Sequence, residues 1–214
     1  MGTENLARLD RIYRLYAEQT GSLDLACRKY CADCCTADVT LTRLEGAYIL
    51  DALDDEGRAE LFARLAAHGD SPRFQPRMTT NGFAAYCNHG APPEDAAGSA
   101  TGPCPLLSEN ACTIYPQRPF GCRCMISARP CRETGEARID PFTLTLNTVF
   151  LQLIEHLDKD GFFGNLNDVL CRLDRSDAGA TIPCQPLSAL MVPPEHRDRI
   201  RPVLDALNER TTER

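Results

Sequence analysis

The sequence predicts a mainly α protein whose helices pack around an irregular, cysteine-rich metal-binding segment. Three observations predict this. Apolar residues recur at helical spacing toward both ends of the chain, strand-like alternation is scarce, and residues 103–141 hold six prolines and five cysteines. Proline removes a backbone donor and fixes φ, so neither a long helix nor a long strand can cross that stretch. The 214 residues, 43% apolar and 25% charged, suit a soluble chain with its own core, and 1–214 is expected to form one domain.

In chain order, Leu6, Leu9, Ile12, Tyr13 and Tyr16 fall at helical intervals and predict an amphipathic helix over residues 4–19. Thr42 with Glu45 three residues on is a capping-box pattern, opening a helix that runs to about Leu53. DDEGRAELFARLAAHG has acids in its first turn and Gly69 placed to stop it, the pattern of a further helix. Residues 70–102 are rich in Pro, Gly, Ala and Ser without apolar periodicity, which predicts a mobile loop. Beyond Pro141, Leu146, Val149, Phe150, Leu153, Ile154 and Leu157 form one helical face. NLNDVLCRL is a shorter helix, and a last one follows PPEH with Ile200, Val203, Leu204 and Leu207 as its stripe.

Twelve cysteines would suggest disulfides in a small secreted domain, but the charged amino end MGTENLARLDRIYRLYAEQ has no signal-peptide pattern. Nor does any apolar run reach the roughly 18 residues needed to span a bilayer. The expected location is the cytoplasm, where so many thiols point to metal or redox chemistry. A formal charge of −7 disfavours nucleic acid and anionic membranes as partners; a protein partner or substrate is not specified.

The thiols fall into two groups. The first is C-x3-C-x2-C-C, at Cys27, Cys31, Cys34 and Cys35; the second holds Cys104, Cys112, Cys122 and Cys124. Close spacings let one turn aim several sulfurs at a common point, and the distant group can complete the shell. Between Ala111 and Arg132 lie four arginines (Arg118, Arg123, Arg129, Arg132) and no Asp or Glu, in a chain that is acidic overall. Cations so placed would offset the negative charge of metal-bound thiolates, and Arg118 and Arg123 are the candidate cofactor-binding pair. A solvated basic patch is the plainer alternative.

CRKYCADCC together with CPLLSENACTIYPQRPFGCRC resembles the YkgJ family of cysteine-cluster proteins, also described as the CxxCxxCC or zinc- or iron-chelating domain. The matching elements are the first cysteine run, C-P-x-L before C-x-I-Y-x-x-R-P, and the following C-R dipeptide. The resemblance implies a bound metal centre, an iron–sulfur cluster (4Fe-4S above all) or zinc. It assigns Cys27, Cys31, Cys34, Cys35, Cys104, Cys112 and Cys122 as ligands, and it fixes no reaction.

Seven ligands are too many for one four-coordinate ion and one short of two such sites. Cys124, Cys87 or Cys131 could be the eighth, and Cys124 ranks first because it stands beside Cys122. Cys87 with His89 makes a weaker C-x-H pair in the loop. Cys171 reads as a small buried hydrophobe, Cys184 has no nearby partner, and His68 and His196 read as structural. His156 could approach the site only if its helix packs there.

Cys27-x3-Cys31-x2-Cys34 has radical-SAM spacing, but the short chain lacks the strands of the barrel such enzymes use. Vicinal and C-x-C thiols could also exchange disulfides or bind copper, readings that lack a thioredoxin-like context and a methionine-rich one. Two functional classes therefore stand: an iron–sulfur protein with redox or modification activity, and a non-catalytic zinc module with a structural or sensing role.

Overall fold

A computed structural model describes residues 3–87, 102–174 and 179–212. Helix α1 (Thr3–Thr20) buries Leu9, Ile12, Tyr13, Leu15 and Tyr16, the stripe expected from the spacing with Leu15 added and Leu6 only partly covered. The strand β1 (Thr40–Thr42) leads into α2 (Arg43–Asp51), where the capping box of Thr42 and Glu45 forms in full. Asp54 caps α3 (Asp55–Ala67) by accepting from the Gly57 N–H.

Within residues 70–102 the structure corrects the expectation of an unbroken loop: α4 (Thr80–Cys87) lies there. Its apolar signal is short, and what fixes it is tertiary. The Asn81 N–H donates to Glu155 Oε2 at 2.8 Å, and the Asn81 side chain donates to the Gln152 and Gln185 carbonyls. Residues 88–101, where the rest of that expectation falls, lie outside the described residues.

The proline-rich segment breaks into pieces as expected. They are the two-residue strands β2 (Leu107–Ser108) and β3 (Ala111–Cys112), a 3-10 turn at Tyr115–Gln117, and the four-residue helices α5 (Phe120–Arg123) and α6 (Cys131–Thr134). Then α7 (Pro141–Leu157), capped by Asp140, supplies the central apolar face. Strand β4 (Phe162–Asn165), α8 (Leu166–Leu173), β5 (Thr181–Pro183) and α9 (Arg197–Thr212) complete the chain.

The sheet of order β1-β4-β5, antiparallel throughout, was invisible to periodicity because its strands are three or four residues long. Gly164 sits in the central strand. A Cβ there would meet Thr181 Cγ2 at 3.0 Å and the Ala180 carbonyl at 3.2 Å, so a side chain would push the strands apart.

Two apolar clusters hold these elements. One joins α1, α7 and α9 around Phe150, Val149, Ile154, Ile200 and Val203, with Phe120 from the cysteine-rich segment inserted among them. The other packs Leu41, Ile49, Leu61, Leu65, Val169 and Leu170 against Leu106 and Ile114. Each such side chain contributes about 1.5–3 kcal/mol when fully buried. The irregular segment is therefore anchored at three apolar points, Leu106, Ile114 and Phe120, in place of long backbone ladders.

Glu45 is the polar anchor among them. Its carboxylate accepts from the Tyr13 hydroxyl at 2.9 Å, the Phe120 N–H at 2.7 Å and the Thr42 N–H at 2.9 Å. Glu45→Ala leaves the Tyr13 and Phe120 donors buried and unpaired, and is expected to lower the unfolding free energy by about 2–4 kcal/mol, read from the urea midpoint. Burial raises the Glu45 carboxyl above its ordinary value of 4.5. The native state then holds the proton more tightly than the unfolded chain, so stability falls as pH rises through the window just above 4.5. Glu45→Gln is expected to flatten that slope.

Candidate metal centre

The first cysteine group lies on a non-helical turn between α1 and β1. The Cys31 N–H donates to the Arg28 carbonyl at 3.0 Å, and Tyr30 between Cys27 and Cys31 is left-handed with φ 76°. That conformation is unfavourable for a bulky residue, and here it reverses the chain so that both thiols face inward. A second turn, Cys35 N–H to the Ala32 carbonyl at 3.0 Å, brings Cys34 and Cys35 to the same side.

Main-chain contacts then dock the second group onto the first. The Cys104 N–H donates to the Cys35 carbonyl at 2.9 Å, and Thr36 bridges Pro103. Beyond Cys104 the strands β2 and β3 form a hairpin with Leu107 opposite Cys112; its two turn residues, Glu109 and Asn110, both have positive φ (49° and 60°). That is the type I′ geometry whose twist suits a tight hairpin. Cys122 comes from α5, held by Phe120: the ring stacks on Phe150 at 5.7 Å and meets Tyr16 edge-on at 4.7 Å.

The result is one cavity of about 410 Å³. Cys27, Cys31, Cys34 and Cys35 of the first group line it together with Cys104, Cys112 and Cys122 of the second. Tyr30 and Met125, both exposed, also line it, so it opens to solvent. Among the described residues no three His, Cys, Asp or Glu side chains already stand together as a metal-holding group. Closing a shell would require the sulfurs to move inward from the cavity wall.

The chemistry of the sulfurs suits a soft cation. Burial pushes the Cys104 thiol up to about 11 and raises Cys112, Cys122 and Cys27 as well. Against this, backbone N–H groups of Leu106, Ile114 and Ser127 point at the sulfurs of Cys104, Cys112 and Cys27 and favour their thiolate forms. Cys34 and Cys35 share a hydrogen bond that raises the first thiol and lowers the second. Half-buried thiols with oriented donors are what a divalent ion or cluster would convert to thiolates. The donor set therefore fits a metal.

Arg118 lines the same cavity, its guanidinium 4.2 Å from the Tyr115 ring, and its charge favours the thiolates of Cys34, Cys112 and Cys122. Arg123 lines the cavity as well, but its head group is engaged elsewhere. Its guanidinium donates to the carbonyls of Arg118 (2.8 Å) and Pro116 (2.6 Å) and lies 4.1 Å from the Tyr13 ring, bracing the loop that carries Cys122.

Cys124 lies elsewhere. It is buried in the first apolar cluster, its thiol donates to the Gly121 carbonyl at 3.4 Å, and it is not among the cavity-lining residues. Helical rotation explains the position: Cys122 lies within α5 and Cys124 is its C-cap, and residues two apart on a helix point to nearly opposite faces. Cys87 ends α4 and is exposed, while His89 lies outside the described residues. Cys171 is half-buried against the second cluster and Cys184 is buried near Asp158 and Glu155. His156 accepts from the Leu187 N–H, His68 contacts the Arg64 carbonyl, and His196 pairs with Thr145.

Glu45 and Asn147 are the residues the sequence reading missed. Asn147 donates to the Cys124 carbonyl at 3.2 Å and accepts from the Tyr16 hydroxyl at 2.7 Å, fixing the far end of α5. A capping box signalled Glu45 as a helix start only, and nothing local marks its bond to Phe120.

Thiols gathered on one cavity of a helical frame suit a metal-binding protein. The chain belongs to the CxxCxxCC family, whose model is described as "Putative zinc- or iron-chelating domain" and matches residues 26–139, more than half of the sequence. No curated protein and no solved structure matches it. Among the described residues no helix is long and apolar enough to cross a membrane.

Arg118→Ala is expected to weaken metal affinity about tenfold, measured by competition with a chromophoric chelator. The metal-free unfolding midpoint should hardly move, because the side chain is only half-buried.

Proposed function

We propose that the protein holds an iron–sulfur cluster through Cys27, Cys31, Cys34, Cys35, Cys104, Cys112 and Cys122, in a reducing, cytoplasmic setting. The observation that carries this reading is the shared cavity: seven thiols face about 410 Å³, more donors than one four-coordinate ion uses. All twelve cysteines are free, which accords with a compartment where thiols stay reduced.

An iron–sulfur group in this place would supply one-electron chemistry or a site for activating a bound molecule. The chain's own contribution is to hold the sulfurs, to offset their charge with Arg118, and to leave an opening beside Tyr30 and Met125 through which a partner molecule reaches the site. This suits redox or modification activity.

One observation favours a second reading, a zinc-holding structural or sensing module. Cys104 and Cys112 flank a two-stranded hairpin and each receives a backbone N–H from the residue two places on, an arrangement that suits a tetrahedral ion as well.

Protein purified without oxygen is expected to be brown, with iron and acid-labile sulfide in matching amounts. Zinc without sulfide would select the module reading, and a chain without any metal would sink both.

A further inference from the structure

We infer that the thiols divide into two four-cysteine metal sites, an inner one of Cys35, Cys104, Cys112 and Cys122 and an outer one of Cys27, Cys31, Cys34 and Cys131. Cys131, not Cys124, then supplies the eighth ligand. The inference rests on the cavity being a metal site and adds to that reading the number of centres and the ligands of each.

The inner set is tied by main chain and hairpin. The Cys35 carbonyl accepts from the Cys104 N–H at 2.9 Å, and the Leu107 N–H closes a turn onto the Cys104 carbonyl at 3.0 Å, with Leu107 paired to Cys112. Electrostatic neighbours agree: Cys35 feels Cys104, Cys112 and Cys122, and Cys122 feels Cys104 and Cys112. Arg118 acts on Cys112 and Cys122 of this set and reaches Cys34 at its edge.

The outer set is assembled by the segment 127–132 folding back over the first turn. The Ala26 N–H donates to the Ser127 carbonyl at 2.9 Å, and the Ser127 N–H in return points at the Cys27 sulfur. Five residues on, Arg132 Nε donates to Asp33 Oδ1 at 2.8 Å, which pins α6 beside the 31–34 turn. Cys131, the residue before that arginine, is half-buried and stands just outside the cavity lining, so its place in the set rests on α6 being held against the 31–34 turn. The thiols acting on Cys27 are Cys31, Cys34 and Cys131, and Arg132 in turn feels Cys31.

Two observations mark the seam and the exclusion. Cys34 and Cys35 share a hydrogen bond, so the two sets meet at this adjacent pair, and Cys34 at the junction also acts on Cys122 and Cys124. Cys124 is withdrawn into the apolar core, where its thiol is bonded to the Gly121 carbonyl and its own carbonyl to Asn147. Eight thiolates in two sets satisfy two tetrahedral shells with none left over.

The test is zinc titration of the reduced full chain, read by native mass spectrometry. Zinc is the probe because each ion reports one four-thiolate set. Wild type is expected to bind two ions, Cys131→Ser one, and Cys124→Ser two. Cys27→Ser and Cys104→Ser should each retain one ion, and the double variant none. Independently of any variant's folding, Cys131 in the zinc-loaded wild type should resist alkylation and regain reactivity on chelation. Two ions in Cys131→Ser, one ion in Cys124→Ser, or an alkylated Cys131 in the loaded protein would overturn the assignment. A wild type that binds one ion overturns the division into two sites and leaves the metal reading standing. A wild type that takes neither zinc nor iron removes both.

Discussion

The buried carboxylate of Glu45 and the backbone it receives set the position of everything on the cysteine-rich side. That segment has too many prolines to secure itself by helix or sheet ladders, so its placement depends on a few non-local contacts. Glu45 caps its own helix and accepts the Phe120 N–H, while the Phe120 ring enters the α1–α7 core. One residue thus ties a helix start, a tyrosine of α1 and the entry to the turn that carries Cys122. Burying a carboxylate is costly unless every oxygen is occupied, and here two oxygens share four donors.

The same economy appears at the sulfurs. Thiols drawn together below the surface resist ionisation, because burial disfavours the charged form and each thiolate adds to the cost of the next. The chain offsets part of this with backbone N–H groups at Cys27, Cys104 and Cys112 and with Arg118, and leaves the remainder to an incoming cation. Neutralisation by metal couples binding to ordering of the segment, since the sulfurs must move off the cavity wall to meet it. A stretch from Ala111 to Arg132 with four arginines and no Asp or Glu, in a chain that is acidic overall, is consistent with that division of charge.

Several polar residues on apolar helical stripes have an equivalent logic. Gln152 and Glu155 lie on the buried side of α7 and bond Asn81, Gln185, Ala189 and Met191. They hold α4 and the extended 185–191 stretch against the helix. Such residues look like faults in an amphipathic pattern, yet each receives a partner from a segment with no periodicity of its own.

Helices with long apolar stripes were legible in the sequence. The stripes of α1, α7 and α9 and the capping box at Thr42–Glu45 are local signals, written in residues three or four apart. The first four family cysteines were legible for a related reason, since they lie within nine residues; Cys104, Cys112 and Cys122 were legible as a motif, and a hairpin and α5 bring them to the cavity. What only the tertiary structure decided was non-local. α4 and the β1-β4-β5 sheet exist because distant segments complete their hydrogen bonds, and their own stretches are too short to show a period. The position of Cys124 belongs to the same class: adjacency to Cys122 suggested a ligand, whereas the packing of α5 turned its thiol into the core. Cys131 approaches Cys27 through the Ala26–Ser127 and Asp33–Arg132 contacts, which span about a hundred residues of chain. Sequence spacing fixes which thiols one turn can gather; which turns then face each other depends on loop closure and burial, and those are properties of the folded whole.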